Sequence, residues 1–375
     1  MAEPAALVLE DGRVFRGEAF GATGASLGEV VFCTGMTGYQ ETLTDPSYHR
    51  QIVVATAPQI GNTGWNDEDD ESRRIWVAGY VVRDPARVPS SWRSRRPLDE
   101  VLAEQGVVGI SGVDTRSLTR HIRERGAMRG GVFSGPELAD TETLVDRVLA
   151  SPPMTGADLA GQVTTEATYV IPADGERRFR VAALDLGIKT NTPRMMAARG
   201  IETHVLPVGA TIEDVLEVEP DGVFLANGPG DPATADGPVA LTRDVLERRI
   251  PLFGICFGHQ ILGRALGRGT YKLRYGHRGI NIPVIDVDTG RVAITAQNHG
   301  FALEGEPGER FDTAFGAARI SHYCPNDGCV EGVRALDVPA FSVQYHPEAA
   351  AGPHDAAPLF DEFTRLMEDA DAETR

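Results

Sequence analysis

The chain has 375 residues, 42% of them hydrophobic, and is therefore long enough for two domains with buried cores. Its formal net charge of −18 argues against partners that need a basic face, which are nucleic acid and anionic membranes. Four scattered cysteines are too few for a disulfide framework and suit a reducing compartment. The opening residues, MAEPAALVLEDG, lack a signal-peptide pattern, and no apolar run reaches about 18 residues. We therefore expect a cytoplasmic protein.

The first half of the chain has the pattern of a small β-rich α+β domain. Asp114 predicts the N-cap of an amphipathic helix that ends at Gly126, and a second helical pattern covers Thr141–Ala150. The polar, turn-rich segment Thr34–Gln51 is typical of loops that carry function. Apolar runs between glycines predict strands at 7–9, 14–15, 29–32 and 52–56. We interpret two charged segments as solvated surface, the acidic run Asp67–Glu71 and the basic cluster Arg93, Arg95 and Arg96.

The pattern changes near residue 177, where we place a boundary between domains 1–177 and 178–375. Beyond it, strands alternate with helices, which predicts an α/β domain built on an open, mostly parallel sheet with helices on both faces. The predicted strands are 181–186, 204–208, 222–226 and 252–255, and the helices are 193–199 and 239–249. Antiparallel strands follow Gly269, and a last strand, 341–345, precedes a final amphipathic helix that contains Leu359 and Met367.

The segment Pro251–Leu266 predicts a strand, a tight turn and a helix, with Cys256 at the turn between Gly254 and Gly258. This is the thiol counterpart of the Gly-x-Ser-x-Gly nucleophile elbow. At a helix N-terminus, the N–H groups and the helix dipole favour a thiolate and can hold an oxyanion. A lone cysteine would more often be a buried structural residue. The flanking glycines favour the nucleophile.

A nucleophilic thiol needs a base, and the base needs a group that orients it. His346 and Glu348 follow an extended run and stand two residues apart, a spacing that places both on one side of a strand end. The motif His-Pro-Glu alone is more often a surface turn. Together with the cysteine elbow, it predicts a Cys256–His346–Glu348 triad.

Two further segments are candidates for the same site. Asn227–Pro232 follows a strand at the carboxyl edge of the sheet, where ligands bind in open α/β folds, and it can supply a backbone N–H to an oxyanion. Gln297–Phe301 offers an amide and exposed backbone, groups suited to a zwitterionic amino acid. We expect no metal site, because Cys324 and Cys329 have no matching second pair of ligands.

These motifs carry a family resemblance that covers both halves of the chain. GICFGHQ, NGPGDP, QNHGF and HPEAAAGPHDAAPLFDEF resemble the class I (triad) glutamine amidotransferases. GEVVFCTGMTGYQETLTDPSY and GVDTRSLTR resemble the first domain of the small subunits of carbamoyl-phosphate synthetases. The order and length of these strings make the resemblance specific.

The resemblance implies that the triad hydrolyses glutamine through a γ-glutamyl thioester. Ammonia would pass within a heterodimer, or a higher oligomer of heterodimers, to a large subunit that makes carbamoyl phosphate from bicarbonate and ATP for arginine and pyrimidine synthesis. ATP and Mg²⁺ are expected on that large subunit, and no cofactor is expected in this chain. The first domain, which lacks a nucleophile, a base or a phosphate loop, would serve docking. The implied glutamine-binding residues are Gly35, Gly228, Gly230, Phe257, Gln260, Asn298, Gly300 and Phe301.

The sequence departs from the family pattern at three positions. Gly35 stands where the family often has serine, which leaves only a backbone contact to glutamine. Phe257 replaces a commoner leucine and keeps the N–H, and Thr190 follows Lys189 where arginine is frequent. Two alternatives stay open: an amidotransferase subunit of another synthetase, such as an anthranilate-type enzyme, and a catalytically inactive regulatory homologue.

Overall fold

Residues 3–374 are described by a computed structural model, and they divide into two units. The first unit runs to Ala157 and includes Arg274–Gly279, and the second contains the remaining residues from Asp158 onward. Residues 158–177, which the sequence assigns to the first domain, therefore pack with the second unit. The reason is strand pairing, because Tyr169–Ile171 adds antiparallel to Ile201–Pro207 in the second unit's sheet.

The first unit is built mainly from short strands. Its strands are β1 (Pro4–Leu9), β2 (Val14–Gly21), β3 (Ala25–Cys33), β4 (Gln51–Ala55), β5 (Gln59–Ile60), β6 (Gly79–Val81), β7 (Asp84–Pro85), β8 (Val108–Ser111) and β9 (Met128–Ser134). Its α-helices are α1 (Tyr39–Thr44), α2 (Leu98–Glu104), α3 (Thr115–Arg125) and α4 (Thr141–Ala150). The predicted N-cap of α3 is confirmed, since the Asp114 side chain accepts a hydrogen bond from the Ser117 N–H at 3.0 Å.

Seven of these strands close into a barrel in the order β1-β2-β8-β6-β4-β3-β9. The pairs β3–β4, β4–β6 and β6–β8 are parallel, and the remaining pairs are antiparallel. Closure pairs every strand on both sides, which leaves no open sheet edge. The prediction of a β-rich first domain is confirmed, although the sequence pattern did not predict that the sheet closes.

The acidic run of this unit is more than solvated surface. Glu71 is only 3% exposed, and its N–H donates to Thr44 Oγ1 at 2.9 Å. The Arg93 guanidinium lies 2.6 Å from Asp69 Oδ1 and 3.1 Å from Glu68 Oε2. The acidic run and the basic cluster are thus joined by ion pairs, because the fold brings two distant loops together.

The second unit alternates strands and helices before it becomes antiparallel. Its strands are β10 (Tyr169–Ile171), β11 (Phe179–Asp185), β12 (Ile201–Pro207), β13 (Gly222–Leu225), β14 (Leu252–Ile255), β15 (Thr270–Asp286, apart from Arg274–Gly279, which belong to the first unit), β16 (Val292–Leu303), β17 (Arg310–Thr313), β18 (Gly316–Tyr323), β19 (Val330–Ala335) and β20 (Ala340–Val343). Its helices are α5 (Ala160–Val163), α6 (Asn191–Ala197), α7 (Ile212–Glu217), α8 (Asp236–Glu247), α9 (Phe257–Ala265) and α10 (Pro358–Thr374).

These strands form one sheet whose centre is parallel. The order is β10-β12-β11-β13-β14-β20-β19-β18-β15-β16, with β17 paired to β18. The five neighbours from β12 to β20 run parallel, and β19 and β18 continue antiparallel. The predicted mostly parallel α/β domain is confirmed.

The alternation of side chains along β14 places helices on both faces of the sheet. The Phe253 ring packs against Phe360 and Phe363 of α10, with centroids 5.8 and 5.7 Å apart. A Cβ on the next residue, Gly254, would lie 2.7 Å from the Gly258 carbonyl oxygen of α9. Because successive residues of a strand point to opposite faces, α9 and α10 cover opposite sides. Among residues 3–374, no helix combines the length and apolar character that crossing a membrane requires.

Candidate active site

Cys256 lies at the junction of β14 and α9, as the elbow pattern predicts. Its φ of 54° and ψ of −101° are unusual for a residue with a side chain. The Cys256 N–H donates to the Val343 oxygen at 2.9 Å, and the Gly258 N–H donates to the Ala226 oxygen at 3.0 Å. A Cβ on Gly258 would lie 2.2 Å from the Leu225 oxygen, so the turn requires glycine there. Bonds to both neighbouring strands therefore hold the backbone of the nucleophile.

The thiol is buried against the strand β16. Cys256 is 3% exposed, and its Sγ lies 3.5 Å from the Asn298 carbonyl oxygen, to which the thiol donates. Phe257 is the first residue of α9, so its N–H belongs to the first turn, where helical N–H groups lack an intrahelical acceptor. This N–H is suited to hold an oxyanion formed beside Sγ.

His346 reaches the same edge of the sheet through the neighbouring strand. The register pairs Ile255 with Val343 in parallel, so β14 and β20 end side by side. The His346 N–H donates to the Ala296 oxygen at 2.9 Å, which fixes the chain beyond β20. Its Nδ1 lies 2.6 Å from Glu348 Oε1. Its buried Nε2 has no hydrogen-bond partner among residues 3–374.

Glu348 is fully buried and ionised. Burial alone would raise the pKa of its carboxyl, but Lys189 and His346 outweigh burial and lower the pKa from 4.5 to about 2. The Lys189 ammonium lies 2.6 Å from Glu348 Oε1, and its side chain is only 8% exposed. The carboxylate thus accepts from the imidazole N–H at Nδ1, which leaves the lone pair of His346 on Nε2.

Lys189 is a residue of the site that no sequence motif indicated. It follows β11, which is separated from β20 by two strands, so no sequence spacing links it to Glu348. One signal was present, because only two of the 36 basic residues are lysines and the other is Lys272. In a chain that otherwise uses arginine, a lysine after a buried strand marks a place that takes a compact ammonium.

The loop after β13 lies at the carboxyl edge of the same sheet. A Cβ on Gly228 would lie 2.1 Å from the Leu186 oxygen, and Gly230 has a φ of +99°. The Asn227 side chain donates to the Gly187 oxygen at 2.8 Å. Gly228 therefore allows a close backbone approach to the loop after β11, and Gly230 adopts a left-handed backbone that favours glycine. Their contact with glutamine stays a prediction.

The other predicted glutamine-binding residues of this unit lie on α9 and β16. The Gln260 side-chain amide donates to the Phe301 oxygen and to Gln344 Oε1, each at 2.9 Å. This ties α9 to β16 beside the thiol. Asn298 and Phe301 are buried, and Gly300 lies between them and is partly exposed. The structure thus brings together Cys256, Phe257, Gln260 and Asn298, while their binding roles remain predictions.

Gly35 belongs to the first unit. It lies in the loop that follows β3 and lines a small cavity with Cys33, Tyr39 and Tyr80. Its proposed backbone contact to glutamine stays a prediction.

Two family models match the chain and cover most of both units. Residues 7–132 match the carbamoyl-phosphate synthase small chain, CPSase domain, and residues 182–366 match glutamine amidotransferase class-I. The first match has the place and extent of the barrel unit. The second contains Cys256, His346, Glu348 and Lys189.

Curated relatives align over nearly the whole chain. The carbamoyl phosphate synthase small chain of Streptomyces avermitilis is 69% identical over 365 residues, which are 97% of this chain and 96% of the relative. That of Mycolicibacterium paratuberculosis is 67% identical over 370 residues, 98% and 99% of the two chains. That of Mycobacterium tuberculosis is 67% identical over 368 residues, 97% and 98% of the two chains. The chain therefore belongs to the family of carbamoyl-phosphate synthase small chains, with a class I glutamine amidotransferase domain in its second half.

Proposed function

We propose that Cys256, His346 and Glu348 hydrolyse the side-chain amide of L-glutamine, and that the ammonia passes to the large chain of the synthase. A small chain of this family is the glutaminase subunit of carbamoyl-phosphate synthase. The large chain would bind ATP and Mg²⁺ and make carbamoyl phosphate from bicarbonate and the ammonia, for arginine and pyrimidine synthesis.

The observation that supports this proposal is the hydrogen bonding of the His346 imidazole. Its Nδ1 is held 2.6 Å from an ionised, buried carboxylate, while its Nε2 has no partner among residues 3–374. An imidazole oriented in this way is a general base that lacks only a proton donor. The thiol of Cys256 follows β14, the strand that pairs in parallel with β20, and is the proton donor that we assign to this base.

In the first step, His346 Nε2 takes the proton of the Cys256 thiol, and Sγ attacks the carboxamide carbon of glutamine. The electron pair of the C=O bond moves to oxygen, where the Phe257 N–H and a backbone N–H of the Asn227–Asp231 loop stabilise the negative charge. The tetrahedral intermediate collapses as the C–N bond breaks. The imidazolium gives its proton to the leaving nitrogen, which departs as ammonia.

In the second step, water cleaves the γ-glutamyl thioester. His346 takes a proton from the water, and the hydroxide attacks the thioester carbon. As the C–S bond breaks, the imidazolium returns its proton to sulfur, which gives glutamate, the thiol and the neutral imidazole. Glu348 keeps one tautomer of the imidazole and stabilises the imidazolium in both steps. Each turnover consumes one glutamine and one water.

The decisive experiment separates amide cleavage from synthesis. Cys256→Ala, assembled with the large chain, should lose glutamine-dependent carbamoyl phosphate formation by on the order of 10⁴-fold or more, since the nucleophile is gone. Synthesis from ammonium chloride should persist, because it bypasses the thiol. Undiminished use of glutamine would refute the triad. Wild-type chain that fails to release glutamate, alone or in the complex, would instead support a catalytically inactive homologue.

A further inference from the structure

Gln344 is a buried residue of the second unit to which the mechanism gives no role. It follows β20 directly and stands two residues before His346. Its side chain is fully buried, and its Nε2 has no hydrogen-bond partner among residues 3–374. A buried amide with an unpaired N–H lowers stability, and an apolar side chain of the same shape would avoid that loss. The residue is therefore explained best by a contact that only its carbonyl oxygen makes.

The carbonyl oxygen of Gln344 holds the side chain of Gln260. Gln260 Nε2 lies 2.9 Å from the Phe301 carbonyl oxygen and 2.9 Å from Gln344 Oε1. A backbone carbonyl only accepts, so the Gln260 atom that faces Phe301 must be the amide nitrogen. The Gln344 atom that meets this nitrogen must then be an acceptor, which is its oxygen. One fixed carbonyl thus sets the orientation of both amides.

Both N–H groups of the Gln260 amide are consequently in use. An amide nitrogen carries two of them, and here one donates to Phe301 and the other to Gln344. Within residues 3–374, Gln260 Oε1 accepts no hydrogen bond, and it is not one of the enclosed polar atoms that lack a partner. Gln260 can therefore meet a ligand only as an acceptor, and the ligand must supply a donor.

The position of Gln260 along α9 indicates which donor of glutamine it meets. The Gln260 N–H donates to the Cys256 oxygen at 3.2 Å, so the two residues lie one helical turn apart, about 5.4 Å along the axis. In extended glutamine, four bonds of about 1.5 Å separate the α-ammonium from the carboxamide carbon that Sγ attacks. An extended ligand thus covers about one helical turn between the two groups, which favours the α-ammonium over the carboxamide as the donor.

We propose that Gln344 is a positioning residue for ligand recognition: it holds the Gln260 amide so that Oε1 accepts from the α-ammonium of glutamine. This inference rests on the proposed function, which makes L-glutamine the ligand. Neither residue contacts the reacting carboxamide. Gln344 therefore sets the affinity and the choice of ligand and leaves the rate of amide cleavage to the triad.

Equilibrium binding to the Cys256→Ala chain, assembled with the large chain, tests this without turnover. Calorimetry compares L-glutamine with glutaramate, which is glutamine without its α-ammonium. Gln344→Met keeps the length of the side chain and removes the acceptor. It should weaken glutamine binding by about tenfold or more, the effect of a lost hydrogen bond to a charged group, and glutaramate binding by less than about twofold. Equal losses for both ligands refute the proposal, because damage to the fold or a contact with the carboxamide would weaken both.

Two further variants separate orientation from packing. Gln344→Glu keeps an oxygen acceptor toward Gln260 and should retain part of the preference for glutamine, so a loss as complete as in Gln344→Met overturns the proposal. Ser342→Ala is the matched control, because it removes the neighbouring contact between the same chain segment and α9, the 2.9 Å hydrogen bond of Ser342 Oγ with His259 Nδ1. Its ratio of the two affinities should equal that of the parent chain. A control that loses the preference as Gln344→Met does refutes the role of Gln344.

Turnover distinguishes this inference from the proposed function. With the thiol intact, Gln344→Met should raise the KM for glutamine by about tenfold and change kcat by less than about threefold. A lower kcat at unchanged KM overturns the positioning role. A parent chain that prefers glutamine to glutaramate but never releases glutamate would refute the triad and support the inference. A parent chain that binds glutamine no better than glutaramate refutes the inference, whether or not it releases glutamate.

Discussion

Replacing Lys189 by methionine removes the ammonium that faces Glu348 and leaves a buried carboxylate without its main counter-charge. The Lys189 Nζ lies 2.6 Å from Glu348 Oε1, and Glu348 is fully buried. The fall of its pKa from 4.5 to about 2 corresponds to about 3 kcal/mol in favour of the ionised form, at about 1.4 kcal/mol per tenfold change. Breaking a buried ion pair by removing one partner costs roughly 3–5 kcal/mol. We expect a loss of unfolding free energy in that range at pH 7.

The loss of stability in Lys189→Met should depend on pH. A carboxyl whose folded pKa is depressed stabilises the wild type above pH 4.5, and this stabilisation is lost as the pH falls toward 2. In Lys189→Met, burial should raise the pKa of Glu348, so the carboxyl takes up a proton while the wild type is still ionised. The difference in stability between the two proteins should therefore be largest near neutral pH and shrink on acidification.

Urea unfolding of the two chains at a series of pH values between 4 and 8 measures this difference. Lys189→Arg is the matched control, since it keeps the charge. It should recover part of the stability. Glutaminase activity of Lys189→Met should fall most on the acid side, where protonated Glu348 no longer orients His346. A stability difference that does not vary with pH would refute the assignment of Lys189 as the counter-charge of Glu348.

The remaining predictions concern the triad and the elbow. His346→Asn should reduce glutaminase turnover by on the order of 10⁶-fold and Glu348→Ala by on the order of 10⁴-fold, because an orienting carboxylate supports the base without moving the proton itself. Steady-state glutamate release ranks them, and equal losses in two folded variants would give Glu348 a direct role. Gly258→Ala should disrupt the elbow, since its Cβ would lie 2.2 Å from the Leu225 oxygen, whereas Gly237→Ala in α8 has open space and should be neutral or stabilising. Thermal unfolding and turnover of both variants test these two expectations, and a fully active Gly258→Ala chain would contradict the packing argument.

Much of the second unit could be predicted because residues close in the sequence indicate its strands and helices. The strand Leu252–Ile255 and the helix that follows it match the prediction, since an apolar run bounded by glycines leaves few alternatives. In the first unit, the helices Thr115–Arg125 and Thr141–Ala150 could be predicted in the same way, because the residues next to them in the sequence form their caps.

The parts that could not be predicted depend on contacts between distant residues. Closure of the barrel requires β9 to pair with both β1 and β3, and no local pattern specifies those partners. The contact of Lys189 with Glu348 joins residues from two different strand ends. The burial of Glu71 arises from a loop packed on α1, whereas a run of five acidic residues taken alone predicts solvent.

The backbone conformation that positions the Cys256 nucleophile also costs the fold stability. A residue with a side chain at a φ of 54° and a ψ of −101° is strained by roughly 1–3 kcal/mol, and glycine would relieve most of that cost. A laboratory selection that rewards only thermal stability would therefore favour loss of the nucleophile at this position. Engineering of a more heat-resistant chain has to hold residue 256 fixed and seek its gains elsewhere.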